Sequence, residues 1–513
     1  MDLNIAATVA AVVTAIVVYC AALFLLPRRH SPPLPPGPTG LPVLGSLPFL
    51  PPDLHAFFAR LSATYGPIFS LRLGSKLAVV VSSPSLAKAV LRDHDPTFAN
   101  RDVPDSARTI TYGGIDIVWT PLGPTWRMLR RVCVRELFSP AGLDSIGYLR
   151  RREVRAAVRR FGAAAERGEA VDVGQEVFLA VLNVIASMMW SEDESGEAVR
   201  MEFRELVGEV TELLGRPNVS DFFPAVAALD LQGIRRKMRG VFKRFDGFFE
   251  RKIERKRAAM QRRGEGCGDG EEAGKDFLES LLTLEAQGEE SDPFTVSHVK
   301  ALLMDMIVGG TDTTANTIEF TLAEMLRRPE TIRRAQAELD EVVGDGEAVE
   351  ESLLPRLHYL STIIKETLRL HPGVPLLVPH CPTSTCTIGG YSVPAGSRVF
   401  VNAWAIHRDP ALWENPSDFR PERFAAAEAR KWDGSANNFV FLPFGSGRRM
   451  CAGTAVAERM MTYSLASLLH AFDWRLPEGE ELDLSEKFGI VLKKAKPLRA
   501  IPAARLSNPH IYS

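Results

Sequence analysis

The chain has 513 residues with 61 Lys and Arg against 63 Asp and Glu, and 46% of its residues are hydrophobic. That is enough apolar material for a large core and too balanced for a disordered chain, and a net charge of -2 argues against a protein built mainly to hold nucleic acid. Six cysteines, at 20, 133, 267, 381, 386 and 451, are too sparse for a disulfide framework and point to a reducing compartment.

From Leu3 to Leu26 the sequence is almost wholly apolar, and at about 1.5 Å per residue such a helix crosses a hydrocarbon core of ~30 Å. Asp2 is the only charge ahead of it and Arg28-Arg29-His30 follow it. It therefore reads as a membrane anchor in place of a cleaved signal, with the bulk of the chain on the cytosolic side. Ser31 to Pro38, rich in proline, predicts a stiff extended spacer. The predicted division is an anchor over 1–27, a hinge over 28–45 and a single domain over 46–513.

Phe69 to Ser83 alternates about a Gly74-Ser75 turn and predicts two strands, with further strands at Arg398 to Ala405 and near the C-terminus. Between Ala107 and Leu370 the pattern is mainly helical. Strands on both sides of a helical mass predict a mainly α (α+β) fold, one large helical body with a small sheet. Within it, Trp126 and Arg130 share one helix face. Arg127, Arg131 and Arg135 form a stripe about 100° away, either a solvated basic face or a dock for an acidic surface. The sequon Asn218-Val219-Ser220 is expected unmodified in this topology, and the apolar insert Phe222 to Val226 is either core or a dip into the membrane surface. Arg235 to Arg263 reads as a helix with a solvated basic face, and Gly264 to Lys275 as a surface loop.

Thr295 is a predicted N-cap for a helix running to Arg328, about 34 residues or roughly 50 Å. In its middle, Gly309-Gly310 beside Thr311, Asp312, Thr313 and Thr314 predicts a local widening, since hydroxyls there can bond back to carbonyls. Further on, Glu366 and Arg369 stand i, i+3 on a helix ending near His371-Pro372 and can pair. Near the C-terminus, Phe444-Gly445-Ser446-Gly447-Arg448-Arg449-Met450-Cys451-Ala452-Gly453 precedes a helical run. The glycines let backbone approach something flat, and a cysteine at a helix mouth has N–H groups to hold it as thiolate. That is what an axial haem thiolate requires. Zinc is disfavoured because no second Cys or His lies at ligand spacing, and Cys381 and Cys386 read as structural.

The conjunction of Phe444, Gly447, Arg449, Cys451 and Gly453 resembles the cysteine signature of the cytochrome P-450 family of haem-thiolate monooxygenases, plant microsomal type. The resemblance covers essentially the whole chain. It implies the P-450 fold, haem b held by Cys451, and Asp312 and Thr313 as the pair that relays protons for O–O cleavage. It implies that Trp126, Arg130 and Arg449 meet the haem propionates, Phe444 flanks the thiolate, and His380 stands where many relatives carry arginine. Glu366, Arg369 and Arg423 match the family's buried structural triad. By family position, Val118, Asp305, Gly309, Val374, Leu377 and Ile490 line the substrate pocket, a largely apolar set that suits a lipophilic ligand.

The resemblance further implies an endoplasmic-reticulum membrane protein that takes electrons from NADPH through a reductase. It would insert one atom of O2 into a small lipophilic plant metabolite, a terpenoid first and a flavonoid or phenylpropanoid second. A haem-thiolate isomerase or dehydratase is the alternative enzyme, and a membrane haem- or sterol-binding protein the non-catalytic one. Neither needs the Asp312-Thr313 pair.

Overall fold

The structure, a computed structural model, describes residues 32–191, 196–264, 276–287, 294–425 and 439–512, together with Thr14. The anchor expected over 3–26, its basic flank and most of the loop expected over 264–275 lie outside these residues.

The proline-rich segment is laid along the body from Pro33 onward. The Pro33 carbonyl accepts the Ser392 N–H (2.8 Å), the Pro36 carbonyl the Ser70 N–H (2.7 Å) and the Pro35 carbonyl the Ser70 hydroxyl (2.7 Å). Prolines donate nothing, so they suit a sheet edge that needs only acceptors. Gly37 is required there, because a Cβ would fall 1.9 Å from the Ser70 oxygen. Leu41 and Gly45 continue the contact, through a bridge of their own and one from Gly45 to Leu73.

Ile68–Leu73 pairs antiparallel with Lys76–Val81 through the expected turn, and Lys76–Val81 pairs in parallel with Arg398–Val401. Lys76–Val81 is thus the central strand, which explains its unbroken apolar run from Leu77 to Val81. Val79 and Val81 enter one cluster with Val399 and Val401, while Ala78 and Val80 enter another with Phe58 and Phe222. The strand expected to reach Ala405 stops at Val401, and Ala403–Ile406 is helical, capped by the Asn402 side chain. Three smaller sheets complete the β structure among the described residues, one of them joining Val171–Asp172, Arg499–Ala504 and Phe472–Arg475.

The helical body is built around Val173–Trp190, which packs on Gly147–Arg167, Val296–Gly310 and Asp312–Arg327. It is apolar enough to cross a membrane, but 72% of it is buried inside the protein, so it is a core helix. Thr295 caps the next long helix, in a reciprocal box with His298. The helix expected from Thr295 to Arg328, with a disturbance beside Gly309-Gly310, is divided at Thr311 into Val296–Gly310 and Asp312–Arg327. The hydroxyls do bond backward: Thr311 Oγ1 donates to the Ile307 carbonyl (2.7 Å) and Thr313 Oγ1 to the Gly309 carbonyl (2.8 Å). Gly310 permits the close approach of the core helix, since a Cβ there would meet Ile185 at 2.6 Å.

Phe222 is core, 2% exposed beside Leu71 and Leu73. Exposed apolar side chains lie further on, at Leu229 and Leu231, and at Leu41, Val43, Leu44 and Phe49, with Val134 and Tyr148 exposed elsewhere. Asn218 is buried and spends its side-chain oxygen on the Ser220 N–H, so its burial in the fold disfavours glycosylation of the sequon.

One buried acid ties the C-terminal strand to the central helix. Glu319 accepts the Leu498 N–H (2.7 Å) and lies against Gly174, where a Cβ would fall 2.6 Å from its carboxylate. Burial, opposed by the Leu498 N–H, pushes its pKa up to about 7. A raised carboxyl pKa stabilises the fold in acid, and the contribution disappears as pH rises from the unfolded value through about 7. Glu319→Gln keeps an acceptor for Leu498 and removes the charge. It should therefore gain on wild type by on the order of 2 kcal/mol between pH 6 and pH 8, read as a widening gap in thermal midpoint by circular dichroism. A gap independent of pH would show that Glu319 is not the titrating group.

Candidate active site

A cavity of about 360 Å³ lies between the central helices, the Cys451 loop and the segments around Val118, Val374 and Ile490. All six residues expected to line the substrate pocket, Val118, Asp305, Gly309, Val374, Leu377 and Ile490, are in its wall. So are Trp126, Arg130, His380, Phe444, Arg449 and Cys451, residues far apart in sequence. Gly309 faces open space, so the helix presents bare backbone to the cavity there.

The cysteine loop is shaped by left-handed glycines at 445 (φ 70°) and 447 (φ 73°). At Gly447 a side chain is excluded outright, since a Cβ would come 2.1 Å from the Leu91 carbonyl oxygen and 3.0 Å from the Asp95 carboxylate. Asp95 also takes the Arg448 guanidinium (2.5 Å), which fixes the loop's outer side. The Phe444 carbonyl accepts the Cys451 N–H (3.0 Å), and Gly453 caps the helix Thr454–Ala471. Cys451 has accessible surface and lines the cavity, yet protein desolvates its sulfur. Burial therefore pushes the thiol above its ordinary value, while the Gly453 N–H, the Thr454 hydroxyl and Arg130 pull the other way without prevailing. The N–H at the helix mouth and Arg130 thus act in the direction expected of them, toward the thiolate, and burial acts against them.

On the other side of the cavity chemistry, three guanidiniums converge. Arg449 donates to the carbonyls of Ala99 (2.7 Å), Ile117 (3.1 Å) and Thr120 (2.5 Å). Arg101, which no motif singles out, donates to the carbonyls of Val118 (3.2 Å), Val378 (2.5 Å) and Pro379 (3.0 Å). Arg130 completes the set, and Trp126 donates to the Ile117 carbonyl (3.1 Å) while lying under the Arg449 guanidinium. Among the described residues none of the three forms an ion pair. Burial lowers Arg101 to about 9 and Arg449 to about 10, and lowers Arg130 as well. His380 adds no charge: burial first, and Arg101 second, keep it well below its usual value, with Nδ1 3.0 Å from the Phe98 carbonyl.

Thr313 lines the cavity, but Asp312 does not. Asp312 turns toward the C-terminal hairpin, where Lys493 Nζ lies 2.5 Å from its Oδ2 and the Thr211 hydroxyl donates to the same oxygen (3.1 Å). Lys493 is 27% exposed and so connects the acid to solvent. Asp305 is not solvated either: it accepts the Ile117 N–H (2.9 Å) and faces Asp116. Lys493 and Thr211 carry no local signal. Asp116 does carry one, a lone carboxylate in the apolar run from Ile115 to Trp119.

Glu366, Arg369 and Arg423 do meet, away from the cavity. Arg369 makes a two-pronged pair with Glu366 (2.8 and 2.7 Å), Arg423 Nε donates to Glu366 Oε1 (3.2 Å), and the Arg420 N–H joins them (2.8 Å). Arg369 spends its remaining donors on the carbonyls of His407, Pro416 and Asp418.

A family profile described as Cytochrome P450 matches residues 35–501. The chain belongs to the cytochrome P450 family. It is 40% identical over 499 residues to a flavonoid 3'-monooxygenase of Crocosmia x crocosmiiflora, covering 95% of this chain and 96% of that protein. It is 39% identical over 482 residues to a geraniol 8-hydroxylase of Swertia mussotii, covering 92% of this chain and 94% of that one. A solved zebrafish cytochrome P450 with progesterone superposes with a TM-score of 0.73 at 27% identity, over 89% of this chain and 100% of its own. The fold is thus that of cytochrome P450, and the protein is a monooxygenase whose cofactor is haem with thiolate-held iron, supplied with electrons from NADPH through a reductase. The residues present fit that group. Three guanidiniums with no ion-pair partner among the described residues suit its propionates, and a loop that excludes side chains at Gly447 presents Cys451 in the wall.

Glu366→Ala would leave two buried guanidiniums without their anion, a loss of about 3–5 kcal/mol. The variant is expected to accumulate with little bound haem, measured as haem per chain. Normal loading would overturn the structural role.

Proposed function

We propose that the protein is a membrane-anchored monooxygenase that hydroxylates a small neutral lipophile, a terpenoid in the first place and a flavonoid or phenylpropanoid in the second. The observation that carries this reading is that each acid in the cavity wall is already engaged within the protein. Asp305 holds the Ile117 N–H and Asp116 holds the Trp119 N–H, while Arg101 and Arg449 face the cofactor side. What is left for a substrate is apolar surface, including Val118, Val374, Leu377 and Ile490. Charged ligands find no partner there, and the similarity to both a flavonoid and a geraniol hydroxylase is consistent with a neutral substrate.

In this reading Cys451 would hold the haem iron, while Trp126, Arg101, Arg130 and Arg449 would hold the propionates. His380, neutral and tied to Phe98, shapes the edge without supplying charge. When bound, the haem supplies the activation of O2 and the oxygen transfer itself. The chain's own residues exclude water, place the substrate and move protons. Lys493 brings Asp312 into contact with solvent, and Thr313, one residue on, holds a hydroxyl at the cavity wall. Glu366, Arg369 and Arg423 keep the region beneath in place.

The anchor over 3–26 would be joined at the bilayer by Leu41, Val43, Leu44, Phe49, Leu229 and Leu231. The Gly74-Ser75 turn links the two groups, since the Leu44 carbonyl accepts the Gly74 N–H (3.2 Å) and the Phe222 carbonyl the Ser75 N–H (3.0 Å). Arg127, Arg131 and Arg135 are exposed on one helix face and are the proposed dock for an acidic reductase surface.

The first experiment is a reduced carbon monoxide difference spectrum on microsomes holding the full chain. A Soret band shifted far to the red is expected, and Cys451→Ser should lose it while still folding. Its absence from well-folded, haem-supplied wild type would remove the catalytic reading. Geraniol and a flavonoid then serve as probes for substrate-induced spectral shifts. With whichever turns over, Thr313→Ala should lower the product formed per NADPH by about tenfold or more and release peroxide instead. Unchanged coupling would exclude Thr313 from the relay.

A further inference from the structure

Asp116 and Asp305 are two acids from distant parts of the chain placed against one another. Asp116, 1% exposed, sits on the segment between the helices Asp105–Ile110 and Pro124–Glu136. Asp305 projects from Val296–Gly310, one turn before Gly309. One oxygen of each is already taken: the Trp119 N–H donates to Asp116 Oδ1 (2.6 Å) and the Ile117 N–H to Asp305 Oδ2 (2.9 Å). Because Asp305 accepts the N–H of the residue that follows Asp116, and both acids line the same cavity, the two carboxyls share one stretch of wall and each acts on the other. Two ionised carboxylates so placed in a desolvated wall would repel strongly, whereas a single proton between them makes a hydrogen bond.

We propose that Asp116 and Asp305 share one proton and together act as positioning residues, a latch that clips residues 111–120 onto the helix Val296–Gly310 at the roof of the haem cavity. The latched segment is the one the other side of the site relies on. Its Ile117 carbonyl accepts from Trp126 and Arg449, its Val118 carbonyl from Arg101 and its Thr120 carbonyl from Arg449, and Val118 itself lines the cavity. Cations pull on this segment from one side and the acid pair holds it from the other.

The surroundings favour the shared proton. Arg449 and Arg101 act on Asp116 and would encourage ionisation, while Cys133, from the helix Pro124–Glu136, is a further titratable group near Asp305. Arg130 acts on that cysteine and lies beside Arg449. Burial outweighs these cations: both carboxyls stand above their ordinary range, Asp305 the more so because Asp116 repels its charge in addition.

The latch rests on the reading of this cavity as the haem site only for its consequence, and its test needs no turnover. Haem-loaded full-length protein in lipid nanodiscs is used for two measurements. Infrared difference spectra at pH 8 of wild type against Asp116→Asn and against Asp305→Asn should each show loss of the same protonated-carboxyl band, because either variant leaves a lone carboxylate facing an amide. Hydrogen exchange at the Ile117 and Trp119 amides should stay within about threefold of wild type in the Asn variants and accelerate about tenfold or more in Asp116→Ala and Asp305→Ala. A wild-type band untouched by either Asn substitution, or wild-type protection in both Ala variants, would overturn the proposal. If one site tolerates no replacement, the other carries the same pair of expectations. A latch that fails while the carbon monoxide band persists would leave the proposed function intact.

Discussion

Three guanidiniums held around a cavity, none of them in an ion pair among the described residues and two of them answered only at longer range by Asp116, are the constraint on which this molecule turns. Arg101, Arg130 and Arg449 face one space, and in this structure they spend their donors on backbone carbonyls. Carbonyls satisfy hydrogen bonds but not charge, which is why burial drags Arg101 to about 9 and Arg449 to about 10. A dianionic cofactor relieves that cost where apolar substitution could not. Cofactor binding and the stability of the loops at 99–102, 111–120 and 378–380 are therefore one equilibrium, in the sense that whatever binds the folded state alone stabilises it.

The Glu366 network solves the opposite problem. Its acid is fully buried and fully answered, with donors from Arg369, Arg423 and the Arg420 backbone, and Arg369 passes the connection on to three carbonyls. One of these belongs to His407, whose ring nitrogen Nε2 accepts the Leu442 N–H (2.8 Å) nine residues before Cys451. Burial, followed by the charge of Arg369, holds His407 down to about 3, so the ring stays a neutral acceptor. The rigidity of the triad thus reaches the thiol loop through a single imidazole.

Much of this was legible in the sequence because it is local. Gly447 and Cys451 lie in one short run, the pairing of Glu366 with Arg369 follows from helical spacing, and the consecutive glycines at 309 and 310 announced a disturbed helix. What the pattern does not carry is contact between distant segments. Arg101 has no motif around it, and its importance comes from Val378 and Pro379 across the cavity. The break at Thr311 was legible as a weakness, yet its place depends on which carbonyls the hydroxyls reach and on Ile185 pressing at Gly310. Of the apolar insert Phe222 to Val226, Phe222 could be assigned to core only once the first sheet was seen to offer it a face, and Pro224 and Ala225 stay exposed. Likewise Cys451 sits at a helix mouth as foreseen, but the sign of its shift is decided by desolvation, a property of the whole wall.

The C-terminal hairpin shows how these pieces bear on one another. Glu486–Lys487 pairs with Lys493–Lys494, and the loop between them brings Ile490 into the cavity wall while Lys493 reaches Asp312. The base of the hairpin is pinned at Glu486. Burial pushes this acid upward, but hydrogen bonds from His371 and His55 and the charge of Arg408 hold it far below the usual carboxylate range. His371 is itself held between Glu486 (2.7 Å) and Glu324 (2.9 Å), the latter on the helix Asp312–Arg327. One hairpin therefore carries both a residue of the cavity wall and the partner of the acid beside Thr313, and its base is fastened to the helix that bears that acid. On the proposed reading, a ligand large enough to displace Ile490 would strain the same short segment that places Lys493. The fit of the substrate and the supply of protons would then be mechanically joined, without any contact between the substrate and Asp312.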